Sequence, residues 1–151
     1  MSLKQQIEND IKKAMLAKQK DELTALRGIK SLILLAETEK GAKDTLSQDQ
    51  EMKILMKAAK QRKDSAELYK EKGRDELASK ELLELEVINR YLPKQLSEEE
   101  LKEELKTIIS ELGAAGPQDM GKVMGTATKK LAGKADGKTI STMVKVILTS
   151  Q

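Results

Sequence analysis

The stretch Gly133-Lys134-Ala135-Asp136-Gly137-Lys138-Thr139 (GKADGKT) decides between two architectures. Read as a phosphate-binding loop, it makes the chain an α/β nucleotide-binding protein. Read as a joint between two helices, it makes the chain all-α. The phosphate-loop pattern needs four residues between its glycines and a strand ahead of the first. Here three residues separate Gly133 from Gly137, and the position that should be glycine is Ala132. Residues 122–132 (KVMGTATKKLA) show neither period-two alternation nor a β-branched apolar block. The helix joint fits better. Gly133 supplies the left-handed residue that stops one helix, and Asp136 supplies an acceptor to cap the next. Lys134 and Lys138 then flank the joint and face solvent.

Outward from this joint, every segment has a helical period. The last helix carries Ile140, Met143, Val144, Ile147 and Leu148. The helix before it starts at Pro117, a residue suited to a first turn, and ends at Gly133. Ser97 and Glu100 form a capping box for a helix through about Leu112, with Glu98, Glu99 and Glu100 at its positive end. Leu92-Pro93 closes the preceding helix, which Asp75 caps and which turns Ala78, Leu82, Leu85, Ile88 and Leu92 inward. Ser47 and Gln50 open a long helix to about Lys72, stopped by Gly73, with Met52, Leu55, Ala59, Ala66 and Tyr69 as its stripe. Arg62 sits within that stripe. Pairing with Glu81 or Glu84 on the next helix is the economical solution, because an unpaired buried charge is costly. Ser2 and Gln5 box the first helix, which carries Leu3, Ile7, Ile11 and Ala14. Asp21 caps the second. Its stripe is Leu23, Leu26, Ile29, Ile33 and Ala36, widened by Leu32, Leu34 and Leu35, so it should be the most buried helix, with Gly41 as its stop.

The break at 93–96 divides the chain into an elongated N-terminal helical domain (1–92), a linker (93–96) and a small three-helix domain (97–151). In the latter, Gly121 and Gly125 lie one turn apart in a helix, at a cost of about 1 kcal/mol each relative to alanine. Close packing of the last helix is the preferred compensation; close approach of a nucleic-acid backbone is the alternative.

The 151 residues include no cysteine and no histidine. Disulfides, thiolate chemistry, the usual neutral-pH base and the commonest zinc ligand are thereby removed. No carboxylates have calcium-loop spacing, and no nucleophile has a visible partner. The expectation is no catalytic residue, no metal and no cofactor. No apolar run approaches the ~20 residues of a membrane span, and the first residues lack a signal peptide's apolar core. A cytoplasmic location without membrane contact follows. The charge is unevenly placed. Residues 93–116 hold three lysines against six glutamates, whereas 117–151 hold six lysines against two aspartates. A basic end of this kind suits an anionic partner.

Five motifs extend the reading: YLPKQLSEEEL (Tyr91–Leu101), DMGKVMG (Asp119–Gly125), KLAGKADGKTISTMVKVIL (Lys130–Leu148), KQRKDSAELYKEKGRDELASKELLELEVI (Lys60–Ile88) and LRGIKSLI (Leu26–Ile33). Together they resemble the YqeY-like family over essentially the whole chain. This family shares its C-terminal part with a tail domain of the glutamine-dependent aspartyl/glutamyl-tRNA amidotransferase, the tail that follows that enzyme's kinase-like domain. The resemblance implies an all-helical protein with a long N-terminal domain and a tail-like domain. It associates the chain with a carbon–nitrogen ligase reaction that uses glutamine as amido donor, in which the tail helps grip tRNA. Asp119, Gly121, Lys122, Met124, Gly125, Gly133, Ala135, Asp136 and Gly137 match the shared motif. The kinase-like domain and the glutaminase that carry the ligase chemistry have no counterpart here.

The combined reading is a non-catalytic accessory or RNA-binding protein linked to tRNA metabolism. Lys122, Lys129, Lys130, Lys134 and Lys138 are the candidate phosphate contacts. Asp119, Gly121, Met124, Gly125, Gly133, Asp136 and Gly137 are assigned structural roles. With Tyr69 and Tyr91 the only aromatic residues, recognition would rest on the shape and backbone of a folded RNA rather than on base stacking. The partners implied are tRNA or another structured RNA, and an aminoacyl-tRNA synthetase or amidotransferase subunit. The alternative is a helical protein-interaction adaptor, presenting Lys53, Lys57 and Lys60 on one face of the long helix with Arg62 and Lys63 nearby. The sequence sets no oligomeric state.

Overall fold

Three serines start three helices by the same chemistry. The hydroxyls of Ser2, Ser47 and Ser97 accept from the backbone N–H groups of Gln5, Gln50 and Glu100 at 3.2, 3.2 and 3.1 Å. The side chains of those three residues accept back from the serine N–H groups at 3.0, 2.9 and 3.2 Å. Each box satisfies donors that the first turn leaves open. The computed structural model describes residues 2–39 and 46–150. The described residues form α1 (Leu3–Leu16), α2 (Lys20–Glu39), α3 (Gln48–Glu71), α4 (Asp75–Asn89), α5 (Glu98–Leu112), α6 (Met120–Lys130) and α7 (Gly137–Thr149). A 3₁₀ turn at Pro117–Asp119 leads into α6. There is no strand among the described residues, and the chain is all-α.

Other boundaries differ from the sequence reading. α2 begins at Lys20, so Asp21 lies in its first turn instead of capping it. The cap position of α4 is Arg74, with Asp75 the first helical residue. Both carboxylates still sit where the helix dipole favours them. α4 ends at Asn89, ahead of Pro93. α6 ends at Lys130, and Gly133 takes its left-handed φ of 77° in the turn beyond. The stop expected at Gly41 lies outside the described residues.

The chain divides into two units, Met1–Pro93 and Lys94–Gln151. In the first, α2 packs against α1, α3 and α4, and α3 runs along α4. The core is Ile7, Ala14, Ala25, Leu26, Ile29, Ile33, Leu55, Ala58, Val87, Ile88 and Leu92. Arg62 pairs with both Glu81 at 3.0 Å and Glu84 at 3.1 Å, joining α3 to α4. At the end of α4, Arg90 pairs with Glu22, and the Tyr91 hydroxyl donates to Asp10. Burial, then that hydrogen bond, raises the Tyr91 pKa. α2 is not the most buried helix. Leu32, Leu34 and Leu35 are 37%, 39% and 58% exposed. The covered stripe is the narrow line Ala25, Leu26, Ile29 and Ile33, and the side of α2 beyond it is left to solvent.

In the second unit α5, α6 and α7 enclose Leu101, Leu105, Ile108, Ile109, Val123, Ala127, Leu131, Ile140, Val144, Ile147 and Leu148. Gly113, at φ 65°, stops α5. The entering chain is stitched to the α6–α7 turn. Leu96 N–H donates to the Lys134 carbonyl at 3.0 Å, and Gln95 Nε2 donates to the Gly133 carbonyl at 2.6 Å.

Arg62→Ala leaves Glu81 and Glu84 facing each other; because the Arg62 side chain is 40% exposed, the loss is screened to about 0.5–1 kcal/mol in urea unfolding, and added salt shrinks it. Ser97→Ala removes a cap worth about 1 kcal/mol. Hydrogen bonds from the Ser97 backbone and side chain, and then the Lys94 charge, hold the Glu100 carboxyl below its ordinary 4.5. A depressed carboxyl stabilises the fold above its unfolded value and loses that contribution as pH falls through its folded value. The melting temperature should therefore decline below about pH 4.5, and Glu100→Gln should flatten that acid limb.

Candidate functional site

The outward face of α6 is set by its inward one. Val123, Ala127 and Leu131 are buried at i, i+4 and i+8, and Met120 and Met124 pack beside them. This turns Gly121, Lys122, Gly125, Thr128 and Lys129 to solvent. The helix is entered through Asp119, whose Oδ2 accepts from Ala115 N–H at 2.9 Å and pins the preceding loop.

Packing of α7 against Gly121 and Gly125, the preferred expectation, is not what the structure has. Both glycines are exposed, and a Cβ built on either meets nothing within 4 Å. α7 packs on the Val123–Ala127 side instead, where its own Ile140, Val144, Ile147 and Leu148 are directed. The Gly121–Gly125 face is therefore open backbone, with Lys122 three residues before Gly125 and Lys129 four residues after it on the same side.

The predicted lysines fall into different settings. Lys122 Nζ donates to the Leu112 carbonyl at 3.2 Å, serving the negative end of α5. Lys130 points the other way, to Glu111 at 3.2 Å. Lys129, Lys134 and Lys138 are exposed and make no ion pair among the described residues. Lys134 lies in the α6–α7 turn and Lys138 in the first turn of α7. Lys145 was left out of the predicted set, yet it is exposed two turns along the Lys138 face of α7. Its i+7 spacing was the available signal.

Gly133 is buried, and Gly137 opens α7 with no neighbour within 4 Å of a built Cβ. Asp136 occupies the cap position of α7 without a side-chain bond to the helix backbone. Its carboxylate takes the Thr139 hydroxyl at 3.4 Å, while its carbonyl accepts from Ile140 N–H. Among the described residues no cluster of three carboxylates could hold a metal, and no helix is long and apolar enough to cross a membrane.

The open face gives a direct test. With nothing for a methyl group to strike, Gly125→Ala should raise stability by about 0.5–1 kcal/mol, and Gly121→Ala in the first turn by less. Thermal unfolding checks this; destabilisation by either would restore a packing role.

A family model described as YqeY-like protein matches residues 4–148. The protein of Clavispora lusitaniae named altered inheritance of mitochondria protein 41, mitochondrial, is 39% identical over 107 residues, covering 70% of this chain and 61% of its own length. Proteins of the same name from Lachancea thermotolerans and Kluyveromyces lactis are each 31% identical, over 150 and 137 residues. They are covered over 78% and 69% of their lengths, and this chain over 96% and 89%. All three are named as mitochondrial, which overturns the cytoplasmic location expected from the sequence. That expectation rested on a missing apolar signal core, whereas mitochondrial addressing uses amphipathic, arginine-rich segments that need none. The five motifs, the all-helical fold and a family match running from α1 into α7 agree: the chain belongs to the YqeY-like family.

Proposed function

We propose that this chain is a non-catalytic RNA-binding accessory protein of tRNA metabolism, gripping the phosphate backbone of a folded RNA through α6 and the α6–α7 turn. The observation that carries this reading is the open backbone at Gly121 and Gly125 between Lys122 and Lys129. Exposed helical glycine costs stability and gains nothing from this fold. It does allow a phosphate or ribose to approach the helix more closely than any side chain would permit. The Thr128 hydroxyl lies on the same face as a further donor. Lys134, Lys138 and Lys145 are exposed and make no ion pair among the described residues, and they extend the basic residues onto α7. With no aromatic residue in this unit, the contacts suit a structured backbone and not stacked single-stranded bases.

The test is a fluorescence titration of a labelled tRNA pool with the purified chain at about 50 and 200 mM salt. Contacts from Lys122, Lys129, Lys134, Lys138 and Lys145 predict a slope of log K against log salt of about −3 to −4.5. Lys134→Ala with Lys138→Ala should weaken binding and reduce the slope by about 2. Gly121→Ala with Gly125→Ala should weaken binding while leaving the slope nearly unchanged. Salt-independent binding, or none at low salt, would sink the proposal.

A further inference from the structure

α1, α3 and α5 end with the same closure. A residue past the helix turns left-handed, and the N–H after it reaches back five residues: Gln19 to the Ala14 carbonyl at 3.0 Å, Arg74 to that of Tyr69 at 2.8 Å and Ala114 to that of Ile109 at 3.1 Å. α3 and α5 give the left-handed position to Gly73 and Gly113, at φ 69° and 65°. α1 gives it to Lys18, at φ 56°, the one non-glycine residue with such a φ among the described residues. A side chain there is strained, so backbone geometry does not select lysine.

Two apolar side chains stand beside it. The Lys4–Glu37 and Glu8–Lys30 pairs set α1 and α2 antiparallel, so this turn is the end of a hairpin. Leu16 is 86% exposed and Met15 53%, and no large apolar side chain among the described residues is more exposed than Leu16. Lys12 lies one turn before Leu16 on the same face of α1. Lys12, Lys13, Lys18 and Lys20 are exposed and make no ion pair among the described residues. The α1 dipole accounts for Lys13 in the last turn. Lys20 opens α2, where the dipole opposes it. The acids nearby are engaged elsewhere. Glu8 pairs with Lys30 at 3.5 Å, Asp10 takes the Tyr91 hydroxyl, and Glu22 pairs with Arg90, whose charge Glu86 also meets. Asp21 is the exception: exposed beside Lys20, it lines a shallow cleft with Lys80. Four cations against one carboxylate therefore surround an apolar tip.

This combination selects its partner. A nucleic acid would engage the lysines and gain nothing from burying Leu16 and Met15. The interface of an anionic bilayer engages both, taking the apolar tip between headgroups while the lysines stay at headgroup level. We infer that the α1–α2 turn is a contact site for an anionic lipid surface, with Leu16 and Met15 inserted and Lys12, Lys13, Lys18 and Lys20 on headgroup phosphates. The contact needs no spanning segment, which is all that the short apolar runs exclude. Two side chains and four cations make it weak and reversible, half-complete at about 0.1–1 mM lipid. This inference stands on the first unit alone and does not depend on the RNA reading.

Flotation of the RNA-free full chain with vesicles of phosphatidylcholine containing about a quarter phosphatidylglycerol tests it. The chain should float with these vesicles at about 50 mM salt and lose at least about tenfold in affinity at about 500 mM salt or on pure phosphatidylcholine. Met15→Ser with Leu16→Ser should weaken binding at least about tenfold, and Lys12→Gln with Lys13→Gln about twentyfold. Lys18→Gly should bind about fivefold more weakly although it melts higher, because glycine relieves the left-handed strain. Helical circular dichroism confirms that the variants fold. The chain has no cysteine, so Ala17→Cys can carry a single environment-sensitive dye, whose emission should shift to the blue on the anionic vesicles. No flotation at low salt overturns the inference. Flotation that Met15→Ser with Leu16→Ser leaves unchanged overturns it as well and gives the lysines to a soluble polyanion, and so does a dye that stays in water.

Discussion

The constraint on which the structure depends is that its apolar surface must be buried almost without aromatic side chains. Two tyrosines are the whole aromatic content, and neither is fully buried. A Phe or Trp covers 150–250 Å² at one position; here Leu, Ile, Val and Ala must do so in small increments along helical stripes. Close-packed helices are the arrangement in which such side chains fill space without voids. Both cores show this, with Ala25, Ala58 and Ala127 lying between Leu, Ile and Val from neighbouring helices. No polar or charged side chain is buried among the described residues.

That exclusion moves all specificity to the surface and to the helix ends. The ends are handled locally by the serine boxes, by the left-handed Gly73 and Gly113, and by Lys122 on the last carbonyl of α5. The surface is handled by charge placement. Arg62 between two glutamates is an internal use of it, fixing α4 on α3 across the edge of their packing.

Glycine tells a similar story in the second unit. Gly133 has a backbone reason, a left-handed φ in a buried turn whose carbonyl holds Gln95. Gly121 and Gly125 have neither an unusual φ nor a neighbour. On the proposed reading, two such residues on the solvent side leave room for an RNA backbone to approach, and the surrounding lysines give that approach its sign.

What the sequence determined by itself is whatever chemistry acts within four residues. The three capping boxes, the stop at Gly73 and the rejection of a phosphate loop at Gly133–Thr139 are of this kind, because donor and acceptor are fixed by i, i+3 and i+4 spacing. The Arg62 pairing was also legible, since a charge set within an apolar stripe points to a partner on the adjoining helix. The resemblance of the five motifs carried the family. Tertiary structure alone decided which side of each helix is covered. Leu32, Leu34 and Leu35 read as core yet face solvent, and Gly121 and Gly125 read as a packing seam yet lie open. It also parted Lys130, paired with Glu111, from Lys129, and stitched Gln95 and Leu96 to a turn almost forty residues away. Periodicity fixes that a helix has an apolar stripe. How wide a stripe becomes buried depends on which distant helices arrive against it, and no local spacing encodes their position.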